Sequence, residues 1–242
     1  MIENKLIKND NVSNKTITFT VNGDDVKLSP NIIKNYLVAG DGRISDEEAI
    51  MFLNLCKYAK LNPFLREAYL VKYGSKPATM IVGKDVFLKR AYHNDKFKGF
   101  EAGVVIVDKD GKMIERQGSL LLLNEKLVGG WAKVYINGFD IPIMAMVSYN
   151  EYVGKKGDGT ANSMWGGKPA TMIRKVALSQ ALREAFPDSY SGLYTAEETQ
   201  IDEEKLNNAV INVEEVIKKE ESEVVKTEII ETTANGLEFE EI

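Results

Sequence analysis

Apolar residues change their spacing several times along the chain, and each change marks a boundary between elements. Residues 16–21 alternate, which suits a short strand or a mobile arm within an otherwise polar first 28 residues. Ser29-Pro30 has the form of an N-cap with proline at the first helical position, opening a short helix to about Val38. Gly40-Asp41-Gly42 breaks it. Ser45-Asp46-Glu47-Glu48 is a capping box ahead of Ala49, Phe52, Leu53, Cys56 and Ala59, which share one helical face. That helix should stop near Leu61, because Asn62 precedes Pro63. Strand-like runs at 67–73 and 77–82 flank Gly74-Ser75 as a hairpin, and a helix with Val86, Phe87, Leu88 and Ala91 inward follows to about His93.

Strand signals then dominate. Residues 100–107 and 112–123 flank a turn at 108–111, while 130–136 and 139–147 flank the hairpin dipeptide Asn137-Gly138. These runs predict a meander of four antiparallel strands. After a flexible basic loop at 154–159 and Trp165-Gly166-Gly167, Pro169 can start a closing helix that runs to about Phe186. The hexapeptide Lys-Pro-Ala-Thr-Met-Ile occurs at 76–81 and again at 168–173, expected in a strand the first time and at a helix start the second. The sum is an α+β fold of N-terminal helices, β-hairpin, helix, antiparallel meander and closing helix. Beyond Ala196, Leu206, Val210, Val213 and Ile217 recur at helical spacing in a glutamate-rich stretch, which suits a disordered or partly helical acidic tail. The expected organisation is an arm at 1–28, a core at 29–196 and a tail at 197–242.

Charge sharpens that division. The net charge is −5, yet residues 197–242 hold 15 acidic and 4 basic side chains, a net of −11. Residues 1–196 therefore keep 27 basic and 21 acidic side chains, a net of +6. Attraction to phosphate depends on local potential, so a basic body with an acidic tail differs from a uniformly acidic protein. A surplus of six is also what a solubility feature would show. The single cysteine rules out a disulfide framework and a cysteine-based zinc site, which fits a reducing cytoplasm. The N-terminus lacks the basic-then-apolar pattern of a secretion signal, and no apolar run approaches the ~18–20 residues of a membrane span. The expected location is cytoplasmic, with no membrane partner.

Candidate catalytic chemistry is sparse. The lone histidine, His93, suits a charge or cap at a helix C-terminus, and Cys56 on an apolar face suits a buried structural role. There is no GxxxxGK[ST] loop and no strand–glycine–helix dinucleotide fingerprint. The glycine pairs at 40/42 and 157/159 lack the spaced carboxylates of a calcium loop. A binding protein rather than an enzyme is expected, with no cofactor, leaving Mg²⁺ open as a modulator.

Single-strand binding needs cations along a backbone track and flat side chains on which bases stack. Four segments mix the two: Phe64 and Arg66 with Tyr69, Lys72, Tyr73 and Lys76; Lys84 to Lys98 with Tyr92; Tyr152, Lys155, Lys156, Trp165 and Lys168; and Arg174, Lys175 and Arg183. At ~100° per residue, Lys175 and Arg183 lie within about 80° and can share a helix face, whereas Arg174 projects to nearly the opposite side from Arg183. Arg174 could pair with Glu184 or a neighbouring subunit as well as reach DNA.

At Leu61-Asn62-Pro63-Phe64-Leu65-Arg66-Glu67-Ala68-Tyr69 the chain resembles the phage recombination proteins Bet (Red beta) and RecT. The similarity continues through Val71-Lys72-Tyr73-Gly74, residues 77–82 with Lys84-Asp85, and Gly129-Gly130-Trp131-Ala132-Lys133-Val134-Tyr135. It resumes at Trp165, Pro169, Met172, Ile173, Arg174-Lys175, Ala181-Leu182-Arg183-Glu184-Ala185-Phe186 and Gly192-Leu193-Tyr194, covering roughly residues 30–200 in order. The resemblance implies ATP-independent annealing of single-stranded DNA by rings or helical filaments. It also implies a 5′–3′ exonuclease partner, with a host single-strand-binding protein and the annealed duplex as further contacts. Arg66, Lys72, Arg174 and Arg183 fall where family members carry basic residues, and Lys155, Lys156 and Lys168 fall in the family's basic loop region. The chain departs from the pattern at Val176, basic in many relatives, and in its short acidic tail. The alternatives are a passive single-strand-binding protein, a metal-dependent nuclease, and a phage structural protein whose filaments have nothing to do with DNA.

Overall fold

The alternation near the N-terminus resolves into a hairpin, β1 (Ile17–Val21) pairing antiparallel with β2 (Asp24–Leu28). The computed structural model describes residues 15–199. Asn22 and Gly23 both take positive φ, the conformation a tight two-residue hairpin turn requires. Phe19, Val21, Val26 and Leu28 are buried in one cluster with α1 (Pro30–Tyr36) and α2 (Asp46–Ala59), so this part of the expected arm is continuous with the core.

Both helices start where the capping residues said they would. Ser29 Oγ accepts from Ile32 N at 3.1 Å. At α2 the capping box is complete, Glu48 N donating to Ser45 Oγ at 3.2 Å and Ser45 N to Glu48 Oε2 at 3.0 Å. Lys60 ends α2 in the left-handed conformation. The expected hairpin at 67–82 is present as β4 (Ala68–Lys72) and β5 (Thr79–Val82). A third strand, β3 (Val38–Gly40), adds to it in parallel with β4. Three residues are too few for periodicity to reveal. A Cβ at Gly40 would lie 2.1 Å from the Lys72 carbonyl oxygen, so only glycine permits this approach.

After α3 (Lys84–Tyr92) come β6 (Phe97–Val107), β7 (Met113–Gln117), β8 (Lys126–Ile136) and β9 (Ile143–Ser148), all antiparallel. Their order is β7-β6-β8-β9, not the expected meander. The two eleven-residue strands β6 and β8 pair with each other and leave five-residue β7 on the edge, which gives the longer ladder. The run to residue 123 also stops early, at Gln117: Gly118 turns the chain, and Leu120, Leu122 and Leu123 face solvent. An Arg116–Glu125 pair at 2.5 Å braces that loop.

Three short or closing helices follow β9 in order: α4 (Tyr149–Tyr152), α5 (Ser163–Gly167), and α6 (Pro169–Ala185), with α7 (Pro187–Tyr190) after them. Met172, Ile173, Val176 and Ala177 of α6 share the core with Ala102, Val104, Ala132, Val134, Ala145 and Val147 of the sheet. The layers meet closely at Gly130, where a Cβ would come 2.5 Å from the Ile173 carbonyl oxygen. Tyr190 fixes α7 to α3 by stacking on Phe87 at 5.0 Å and donating to the Phe87 carbonyl at 2.6 Å. The architecture is α+β. No described helix is long and apolar enough to cross a membrane. The expected helical repeat at Leu206, Val210, Val213 and Ile217 lies outside the described residues.

Candidate nucleic-acid interface

α6 carries basic side chains along its length: Lys168 at its N-cap, Lys175 two turns on, and Arg183 in its last turn. At 1.5 Å per residue these span about 22 Å. Lys168 is exposed. The other two meet the segment that follows α7. Lys175 Nζ lies 2.6 Å from Glu197 Oε1. Arg183 Nη2 lies 2.8 and 2.7 Å from the two oxygens of Glu198, and its Nε and Nη2 donate to the Leu193 carbonyl at 3.3 and 3.0 Å. The Tyr194 ring sits 4.7 Å from the guanidinium. Lys175 and Arg183 thus reach neighbouring glutamates of one segment, as their angular spacing predicts. Arg174 projects elsewhere, its Nε donating to the Ala102 carbonyl in β6 at 3.2 Å, rather than to Glu184.

The segment that meets them is itself held. Glu198 folds back on Thr195, whose N and Oγ1 donate to Glu198 Oε2 at 3.0 and 3.3 Å. Val82 N donates to the Tyr194 carbonyl at 2.9 Å, and Ala196 packs with Ala39, Val71 and Ile81 of the small sheet. Residues 197 and 198, the first of the expected tail, are therefore joined to the core. The Thr-Ala-Glu-Glu spacing was the sequence signal for this contact.

Lys72 is held in the same manner. Its Nζ lies 2.7 Å from both oxygens of Glu48, the capping-box glutamate of α2. The Lys72 ammonium, then the Ser45 and Ala78 amides, pull the Glu48 carboxyl down to about 2. Arg66 is exposed, in the left-handed conformation after the 3₁₀ turn Pro63–Leu65.

Trp165 needs correction. It is 1% exposed, its ring edge-on to Tyr149 at 5.8 Å, so it offers no face on which a base could stack. It packs beneath the basic loop instead: a Cβ at Gly154 would lie 3.0 Å from its Cδ1. The loop above is ordered by Lys156 N donating to the Thr160 carbonyl at 2.7 Å and by the Lys155–Ala161 bridge. Lys155 and Lys156 are exposed on it. Tyr194, half exposed beside Arg183, is the flat side chain that sequence reasoning did not put in the site. Val176 is fully buried, which accounts for an apolar residue there. His93 caps α3, its Nδ1 2.6 Å from the Lys89 carbonyl, and Cys56 is buried, which pushes its thiol far up.

These features define an α+β protein whose closing helix and adjoining loop present a track of cations. The RecT family profile matches residues 24–228, from β2 through every later described element, and the chain belongs to the RecT family. A relative is the uncharacterized protein UU154 of Ureaplasma parvum serovar 3, 29% identical over 136 residues, or 56% of this chain and 52% of that protein. The chain thus spans about half the length of this curated relative.

Proposed function

We propose that this protein binds single-stranded DNA and anneals complementary strands in phage-type homologous recombination, without ATP and without a catalytic step. The observation that carries this reading is membership of the RecT family across residues 24–228. The cations on and beside α6 give it a physical route. Lysine and arginine side chains hold phosphates, base edges stay open to a second strand, and neutralised phosphates repel that strand less. The exposed set of Lys155, Lys156 and Lys168 makes first contact, with Arg66 extending the track. Lys72, Lys175 and Arg183 are paired with glutamates and stand behind it, while Trp165 supports the loop from below. Adjoining subunits in a ring or helical filament hold a long template extended. A 5′–3′ exonuclease supplies the single strand, and a host single-strand-binding protein is displaced from it.

Fluorescence anisotropy with a labelled oligonucleotide tests the binding step. Affinity should fall steeply between roughly 50 and 200 mM salt, as counterion release requires. A flat salt dependence contradicts the electrostatic mechanism. The same labelled strand should survive incubation with Mg²⁺; cleavage would favour the nuclease reading.

A further inference from the structure

We infer that residues 193–198 form an acidic strap that occupies two cations of the DNA-binding surface and turns outward before a strand can lie along the whole of α6. This deepens the proposed function and rests on it. The strap copies a nucleic-acid backbone at the two positions. Glu198 takes Arg183 with both oxygens on the one nitrogen Nη2, a charge-assisted contact of the kind a phosphate oxygen also makes. Glu197 takes Lys175 at 2.6 Å. Lys175 and Arg183 stand eight residues apart, about 12 Å along the helix, and two consecutive glutamates bridge that span.

Two observations mark this as a closure that can open. Glu197 is 1% exposed, yet beyond the Lys175 ion contact neither of its carboxylate oxygens has a hydrogen-bond partner among the described residues. A buried carboxylate held by one ion contact and no hydrogen bond is a costly arrangement that release would relieve. The apolar anchor is also separate from the charged contacts, with Ala196 seated on the small sheet and the carboxylates immediately after it. A turn of the chain beyond Ala196 frees both cations while the anchor stays. Arg183, with half-exposed Tyr194 beneath its guanidinium, then offers a phosphate contact next to a stacking surface. The remainder of the sequence carries the same sign, since residues 197–242 have a net charge of −11.

The full-length protein and its E197Q/E198Q variant are compared in oligothymidine binding across a salt series. The variant should bind about tenfold more tightly at moderate salt, and its log–log slope should steepen by about 1.4, two added phosphate contacts on a single strand. Equal or weaker affinity with an unchanged slope overturns the strap. Hydrogen exchange on the unmodified protein gives a second reading, independent of how the variant folds. Bound oligothymidine should speed exchange of the Thr195 and Thr199 amides, which donate to Glu198 and to the Thr195 carbonyl. Unchanged or slower exchange there also overturns it. If the unmodified protein fails to bind oligothymidine, the proposed function fails with the strap; if it binds and anneals normally while both strap readings are negative, only the strap fails.

Discussion

Glu48 and Glu198 each accept from the backbone amide three residues earlier, and each reaches on to a cation of another element. A glutamate already held by a backbone donor loses little further freedom when it binds a cation. The pH consequence follows for Glu48, whose carboxyl lies at about 2 against an ordinary value of 4.5. A depressed folded value stabilises the fold fully above 4.5 and is lost as pH falls towards 2. The E48Q variant should be less stable than the unmodified protein near neutral pH, and their urea midpoints should converge across that acid window. A constant difference would contradict the pairing. For Arg183, truncation leaves Glu198, 5% exposed, without its guanidinium. Replacement by alanine should cost about 3 kcal/mol in urea unfolding, and a cycle with E198A should recover part of it. A loss under about 1 kcal/mol would make Arg183 an ordinary surface charge.

At the scale of elements, the repeated hexapeptide shows what local sequence does and does not decide. In its first copy residues 79–81 enter β5, and in its second Pro169 starts α6. Flanking chain makes the difference: Gly83 ends the first after one more residue, Val82, whereas helix-forming Arg174, Lys175, Ala177 and Leu178 extend the second. Caps, prolines and the turn at 108–111 were legible because their causes lie within a few residues, whereas Asn137-Gly138 opens a loop and β9 resumes only at Ile143, not at 139. β3 and the β7-β6-β8-β9 order were not legible, since both depend on which distant strand offers the longer ladder. Two predictions belong here. Exposed Lys155 and Lys156 sit on a loop braced by backbone bonds, so K155Q/K156Q should leave thermal stability unchanged while weakening oligonucleotide binding and lowering its salt slope by about 0.7 per lost phosphate contact. Unaltered binding would remove the loop from the interface. G130A should cost about 1–3 kcal/mol in urea unfolding, because its methyl must displace the α6 backbone at Ile173; no loss would contradict that close approach.

Over the whole molecule, the sequence revealed where the basic residues are but not which are open to a ligand. Composition separated a basic body from an acidic stretch, and spacing put Lys175 and Arg183 on one side of α6. That Lys72, Lys175 and Arg183 each face a glutamate distant in sequence is a property of tertiary structure, as is the burial of Trp165. The account therefore has a surface with a free part, on the loop and the start of α6, and a paired part along β4 and the rest of α6. In the proposed function that surface serves strand annealing, and annealing is what distinguishes it from passive protection of single strands. The most direct test is the rate at which two complementary oligonucleotides form duplex with this protein in the absence of ATP, at low and moderate salt. The account predicts annealing well above the spontaneous rate at low salt, declining as salt rises in step with single-strand affinity. Tight binding of both strands with annealing at or below the spontaneous rate would contradict it.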